Sequence, residues 1–194
     1  MVEIEQLKGH HKEGFGKFIN EPSKEQLNLY FYLNDSDKEV IAKMKKSSTK
    51  LGFAVQLGTV RFLGCFTSDF ETLPIVVIQH LAAQLNIDYK EFYGYTRKQT
   101  IWQHMKLIQD YYNYVLFTDN AVEKYLSDWL LDRSWYTTET DNMLFDMLLK
   151  KCLDEKIILP GFSTFERFVS KIIDSSEKQL YKLLSEIPAT SEVE

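Results

Sequence analysis

The sequence predicts an all-α fold: a multi-helix bundle of two helical lobes with helix-turn-helix-like units. Three observations predict it. Apolar residues recur at helical spacing nearly throughout, helix start and stop signals punctuate that pattern, and no alternating run is long enough for a sheet. The chain has 194 residues, 44% of them hydrophobic and 26% charged, with 13 Phe, 11 Tyr and 3 Trp. That is ample material for a packed core, and it excludes wholesale disorder, collagen-like repeats and a coiled-coil rod.

Each element has a local cause. Ser23 followed by Gln26 three residues on predicts a capped helix with Leu27, Tyr30 and Phe31 on one face. Asn34-Asp35-Ser36-Asp37 caps a second short helix that carries Val40, Ile41 and Met44. A third runs from about Ser48 to Phe62 with glycines at 52 and 58 inside it. Interior glycine costs roughly 1 kcal/mol relative to Ala, so close approach of a neighbouring helix is expected there. Pro74 suits the first turn of a helix that buries Val77, Ile78, Leu81, Ala82 and Leu85 and stops near Asn86. Asp88 and Glu91 open a short helix broken at Gly94, and Thr96 with Gln99 caps a longer one carrying Ile101, Met105, Ile108 and Tyr112. Residues 117–120 mark the boundary between a lobe of residues 1–117 and a second of residues 118–188, followed by a flexible tail, 189–194. Helices are expected over about Ala121–Trp135 and Thr140–Asp154. Beyond the connector 156–161, Ser163 with Glu166 caps a helix whose Phe165, Phe168, Val169, Ile172 and Ile173 face inward, and a last helix spans about Glu177–Ile187.

The net charge of −5 is unevenly spread. Residues 1–118 carry 14 Lys and Arg against 13 Asp and Glu, whereas residues 119–194 carry 9 against 15. Local clustering outweighs the total, because screening removes charges beyond about 8–10 Å. Lys38, Lys43, Lys45, Lys46 and Lys50 crowd one stretch against the single acid Glu39. Leu81-Ala82, Leu85 and Ile87 followed by a capped short helix form the apolar skeleton of a helix-turn-helix, with Lys90 on the helix presented outward. On the next helix Arg97, Thr100 and His104 are spaced i, i+3, i+7 and are expected to share one outward face. Arg97 and Lys98 stand in its first turn, where unpaired backbone amides would meet a phosphate. Lys106 extends this set. A second unit, residues 157–173, would display Thr164, Arg167, Ser170 and Lys171. Solvated helix faces explain either unit alone; two in tandem favour double-stranded DNA.

Catalytic signals are absent. His10, His11, His80 and His104 show no metal-ligand spacing, and His80 suits a hydrogen-bonded position at the core edge. No phosphate-binding loop, dinucleotide fingerprint or nucleophile elbow occurs. Carboxylate pairs such as Asp35/Asp37 fall at helix ends, where they cap. No catalytic residue, metal ligand or cofactor is therefore assigned. Cys65 and Cys152 read as buried reduced thiols, the acidic N-terminus lacks a signal-peptide core, and the longest apolar run, Ile75–Ile78, is far short of the roughly 20 residues a membrane span needs. A cytoplasmic protein, nucleoid-associated when bound, is expected.

The run Leu51-Gly52-Phe53-Ala54-Val55-Gln56-Leu57-Gly58-Thr59-Val60-Arg61-Phe62-Leu63-Gly64 resembles a signature of Tn-three family transposases. So do Glu21-Pro22-Ser23 upstream, and Arg97, Thr100 and His104, then Leu159-Pro160-Gly161 and Glu166-Arg167 downstream, in the family's order. Ile101 departs from the pattern, in which an Arg often follows the Thr. The resemblance covers about Gly14 to Ile173. It implies an N-terminal region that binds transposon terminal inverted repeats and cleaves nothing. Strand transfer, with its divalent metals, would belong to an RNase H-like domain elsewhere in a longer transposase. It also implies a partnership with the rest of that chain, and a dimer on DNA. Lys43, Lys45, Lys46 and Lys50 would grip backbone, while the Leu51–Gly64 block itself is assigned to packing, with Arg61 pairing a nearby acid. Two alternatives stand beside this reading: a helical protein-interaction module docking through the acidic second lobe, and a free-standing helix-turn-helix regulator.

Overall fold

The structure, a computed structural model, describes residues 14–67, 69–136 and 141–186. His10, His11, Thr140 and the tail 189–194 lie outside the described residues. Eight α-helices account for most of what is described: α1 (Lys24–Tyr30), α2 (Asp35–Ala42), α3 (Ser47–Leu63), α4 (Ile75–Leu85), α5 (Lys98–Tyr112), α6 (Asn120–Tyr136), α7 (Asp141–Asp154) and α8 (Phe162–Glu186). A six-residue 3₁₀ helix, Tyr89–Gly94 (the 3₁₀ turn), links α4 to α5. Two short strands, β1 (Val115–Leu116) and β2 (Ile157–Ile158), pair in parallel, with Val115 opposite Ile157. The fold is all-α.

Local chemistry sets the first elements where the sequence places them. Ser23 and Gln26 form a reciprocal capping box on α1, and Asn34 and Asp37 form another on α2. Asn86, at φ 53°, ends α4 in the left-handed conformation, and Asn113 does the same for α5. Helix α3 is the axis of the first apolar cluster. Every residue from Leu51 to Val60 is buried, because α1, α2, α4, α5 and the 3₁₀ turn all pack around it. The two interior glycines admit aromatic rings rather than another backbone. A Cβ at Gly52 would collide with the ring of Tyr95, and one at Gly58 with the ring of Phe31.

Beneath α2 lies a buried ion pair. The guanidinium of Arg61 donates to both carboxylate oxygens of the fully buried Asp37, at 3.0 and 2.9 Å, and to the Tyr32 carbonyl at 3.2 Å. Tyr112 Oη donates to the same carboxylate at 2.8 Å, and Arg61 lies 5.5 Å over the Tyr112 ring. One carboxylate thus joins α2, α3 and α5.

A second apolar cluster gathers α6, α7 and α8 around Phe117, Leu126, Leu130, Leu148, Phe165 and Val169. Phe15, from the start of the described chain, crosses over to pack edge-on against Phe145 and Phe162 and tilted against Phe165. The clusters are tied where the Leu159 amide donates to the Gly64 carbonyl at 2.8 Å, with Gly64 itself in the left-handed region at φ 72°.

Several local expectations are corrected. The second element of the expected helix-turn-helix is six residues of 3₁₀ helix held down by buried Phe92, too short to serve as a recognition helix. The helices expected to meet near Glu177 are one, α8. Ser176 in its middle is buried and bonded to Ser134 of α6 at 2.8 Å, tying two helices together instead of capping one. Ser163 lies inside the first turn of α8, not ahead of it. His80 is half-buried and its Nε2 has no hydrogen-bond partner among the described residues; burial holds its pKa below the ordinary value.

Candidate nucleic-acid interface

The N-termini of α3 and α5 meet at one open cleft of about 350 Å³, walled by Lys45, Lys46, Ser48, Thr49, Tyr95, Thr96, Arg97, Thr100 and His104. The 3₁₀ turn brings the two helix ends together. Gly94 at its end lies so near α3 that a Cβ there would be 3.2 Å from Ser48 Cβ. Neither helix has a side-chain cap: Lys46 and Arg97 occupy the N-cap positions, and neither supplies a capping acceptor. Thr96 was the expected cap of α5. The helix instead begins two residues later, because Arg97 is extended (φ −75°, ψ 109°), and Thr96 stays exposed on the cleft wall.

Of the residues singled out in the sequence, Lys45, Lys46, Arg97, Thr100 and His104 come together here. Lys45, Lys46 and Arg97 are exposed, and Thr100 is half-buried. Lys43 sits at the C-cap of α2, exposed, and Lys50 is half-buried on α3. Lys90 and Lys98 are exposed. Lys106 is exposed and paired with Asp110 at 2.9 Å. Thr164, Arg167 and Lys171 stand on α8 in the second cluster, Thr164 half-buried and the other two exposed; none lines the cleft.

His104 is a correction. It does not face outward with Arg97 but is only 7% exposed, edge-on to Phe53 and stacked on Tyr95 at 5.4 Å. Tyr95 Oη bonds to its Nδ1 at 2.9 Å. Burial lowers its pKa to about 4 and raises that of Tyr95, so at neutral pH the imidazole is uncharged and the phenol keeps its proton. The signal was present in the spacing. His104 lies three residues after Ile101 and four before Ile108, on the apolar stripe of α5. Tyr95, Ser48 and Thr49 were not singled out, and only the proximity created by the 3₁₀ turn brings them to the site.

Among the described residues no group of three or more His, Cys, Asp or Glu side chains could hold a metal ion, and no helix is long and apolar enough to cross a membrane. Cys65 and Cys152 are free thiols, and burial pushes their pKa values up to about 11 and about 12.

Residues 7–172 match the family described as Domain of unknown function (DUF4158). The chain belongs to the DUF4158 family. This DUF4158 chain is similar to the transposase for transposon gamma-delta of Escherichia coli (strain K12), 34% identical over 188 residues, covering 95% of the chain and 19% of that protein. It is also similar to the transposase for transposon Tn1546 of Enterococcus faecium, 31% identical over 165 residues, covering 82% of the chain and 16% of that protein. The transposase for transposon Tn3926 of Escherichia coli is 26% identical over 165 residues, with 84% and 16% covered. The DUF4158 chain therefore spans less than a fifth of the length of these relatives, and the resemblance to transposases covers most of it.

Proposed function

We propose that this DUF4158 chain binds double-stranded DNA at the terminal inverted repeats of a transposon, as the non-catalytic N-terminal part of a transposase for replicative transposition. The observation that carries the reading is the cleft at the ends of α3 and α5. It draws Lys45 and Lys46 from one segment, and Arg97 and Thr100 from another about fifty residues on, to two helix ends whose amides are uncapped. Such an arrangement suits anionic backbone, and relatives that are transposases supply the kind of DNA. Arg97, Lys98, Thr100 and the lysines at 43–50 dock the lobe of residues 1–117. Lys90 and Lys106 add DNA contacts from the same lobe. Thr164, Arg167 and Lys171 dock the lobe of residues 118–188 further along the duplex. The strand-transfer domain and its divalent metals belong to the remainder of the transposase, which is also this chain's protein partner, and two copies assemble on paired ends.

The test is fluorescence anisotropy with a terminal-repeat duplex against a scrambled one, over a salt series. The repeat is expected to bind more tightly. With roughly six phosphates neutralised, affinity falls about 10³-fold between 50 and 200 mM salt. Equal affinity for both duplexes together with a flat salt response overturns the reading.

One observation favours a second role for the acidic lobe. Asp141, Asn142, Glu166 and Ser170 line a cleft of about 370 Å³ between α7 and α8, a surface suited to a basic protein segment rather than to DNA. A protein-interaction module would bind such a segment and leave both duplexes unshifted.

A further inference from the structure

We propose that the cleft between α3 and α5 seats a single phosphodiester of the DNA backbone, gripped by backbone amides of both helix ends and by Nε2–H of His104. The source of the phosphate rests on the DNA-binding reading; the donor set rests on geometry alone.

The donors can be enumerated. In α3 the amides of Thr49 and Lys50 both turn back to the Lys46 carbonyl, at 3.1 and 3.0 Å, which leaves those of Ser47 and Ser48 without an intrahelical acceptor. In α5 the Ile101 amide is the first to turn back, to Arg97 O at 3.1 Å, which leaves Lys98, Gln99 and Thr100. Both ends carry the positive pole of a helix dipole, and Lys45, Lys46 and Arg97 add full charges around them.

His104 is the independent observation. It lines the cleft at 7% exposure, and its Nε2 has no hydrogen-bond partner among the described residues. Its tautomer follows from its neighbour. Tyr95 Oη has Nδ1 as its one hydrogen-bond partner among the described residues; either atom can be the donor, and with the phenol donating its proton is met and Nδ1 accepts. A neutral imidazole then carries its proton on Nε2. The result is an N–H that has no acceptor among the described residues, on the wall of a cleft rimmed by cations, where a ligand oxygen can meet it. A phosphodiester offers acceptor oxygens in several directions, and the open cleft lets the sugar–phosphate chain enter and leave. Because the imidazole is uncharged, this contact adds direction rather than charge, and fixes where along the duplex the protein sits.

Three measurements on the full chain test this. Nitrogen-detected imidazole NMR should find His104 protonated at Nε2, and titration with inorganic phosphate should shift, saturably, that signal together with the amides of Ser47, Ser48, Gln99 and Thr100. Single methylphosphonate substitutions scanned along the terminal-repeat duplex should find one position per bound chain where affinity drops tenfold or more. Tyr95→Phe, which frees the tautomer, should weaken phosphate binding severalfold while Lys124→Ala leaves it unchanged. Duplex binding without these amide and imidazole shifts overturns the site and leaves the DNA reading standing. Phosphate shifts with no duplex binding at any salt concentration overturn the phosphodiester assignment and the DNA reading together.

Discussion

Around α3 the fold is fixed by a buried charge: Asp37, fully enclosed, takes two hydrogen bonds from Arg61 and one from Tyr112 and so sets the relative positions of three helices. Around α8 it is fixed by rings, with Phe15, Phe117, Phe145, Phe162, Phe165 and Phe168 packed within 6.1 Å of one another in successive pairs. There Lys124 pairs with Asp128 at the surface of α6, and Lys151, half-buried against the rings of Tyr125 and Trp129, pairs with Glu155. A buried pair has one good geometry, whereas aromatic packing accepts several. The region carrying the basic cleft is thus the one in which a fully buried carboxylate joins three helices, beside ring pairs of its own such as Phe18 with Phe62 and Phe70 with Tyr95.

The largest expected effect on that contrast comes from Asp37→Ala, which leaves Arg61 uncompensated under α2. It should lower stability by about 3–5 kcal/mol, read from urea midpoints at constant slope. A loss below about 1 kcal/mol would show that the pair is ornamental and that both regions rest on apolar packing alike.

Acid should come next. His104 is held neutral in the fold, with its pKa lowered by burial from 6.5 to about 4, so between those values the unfolded chain binds the extra proton. Stability from this group is therefore complete above about pH 6.5 and is lost as pH falls towards 4, by up to about 3 kcal/mol. His80, shifted in the same direction, adds to the loss. Thermal melts at pH 7 and pH 5 should show the first cluster weakening, and in a Trp102→Phe variant the remaining tryptophan emission, which comes from α6, should lag behind it. A pH-independent melt would contradict the burial of His104.

Gly52→Ala pushes a methyl group into the Tyr95 ring and should cost about 1–3 kcal/mol through overpacking, with a fall in duplex affinity as Tyr95 and His104 shift. Unchanged affinity alongside lost stability would separate the core from the cleft. Smallest of all, Lys124→Ala breaks an exposed pair on α6 and should change stability by less than about 0.5 kcal/mol.

What the sequence made legible was what its neighbours in sequence decide. The capping pairs Ser23/Gln26 and Asn34/Asp37 and the stop at Asn86 need only residues within one turn, and all three stand where the pattern puts them. The pairing of Arg61 with an acid was also readable, but not that the acid already capped α2, since Asp37 does both. Contacts from far along the chain decided the rest. Ser176 looks like a break in α8 until Ser134 of α6 is seen to meet it. The basic cleft joins residues about fifty positions apart, and its geometry follows from a six-residue 3₁₀ turn whose sequence reads equally well as a short recognition helix. His104 shows that a polar residue can share an apolar stripe when a tyrosine satisfies one of its nitrogens.

The parallel pairing of Val115–Leu116 with Ile157–Ile158 has an architectural consequence. Everything between those strands, α6 and α7 included, is an excursion that leaves and returns at adjoining points, so its two feet are pinned a strand's width apart. Adding residues between α6 and α7 would add only slowly to the entropy of closing that excursion and would leave those anchor points in place. Length added there would therefore leave untouched the end of the molecule where α3 and α5 begin, so long as the apolar faces of α6 and α7 still pack on α8.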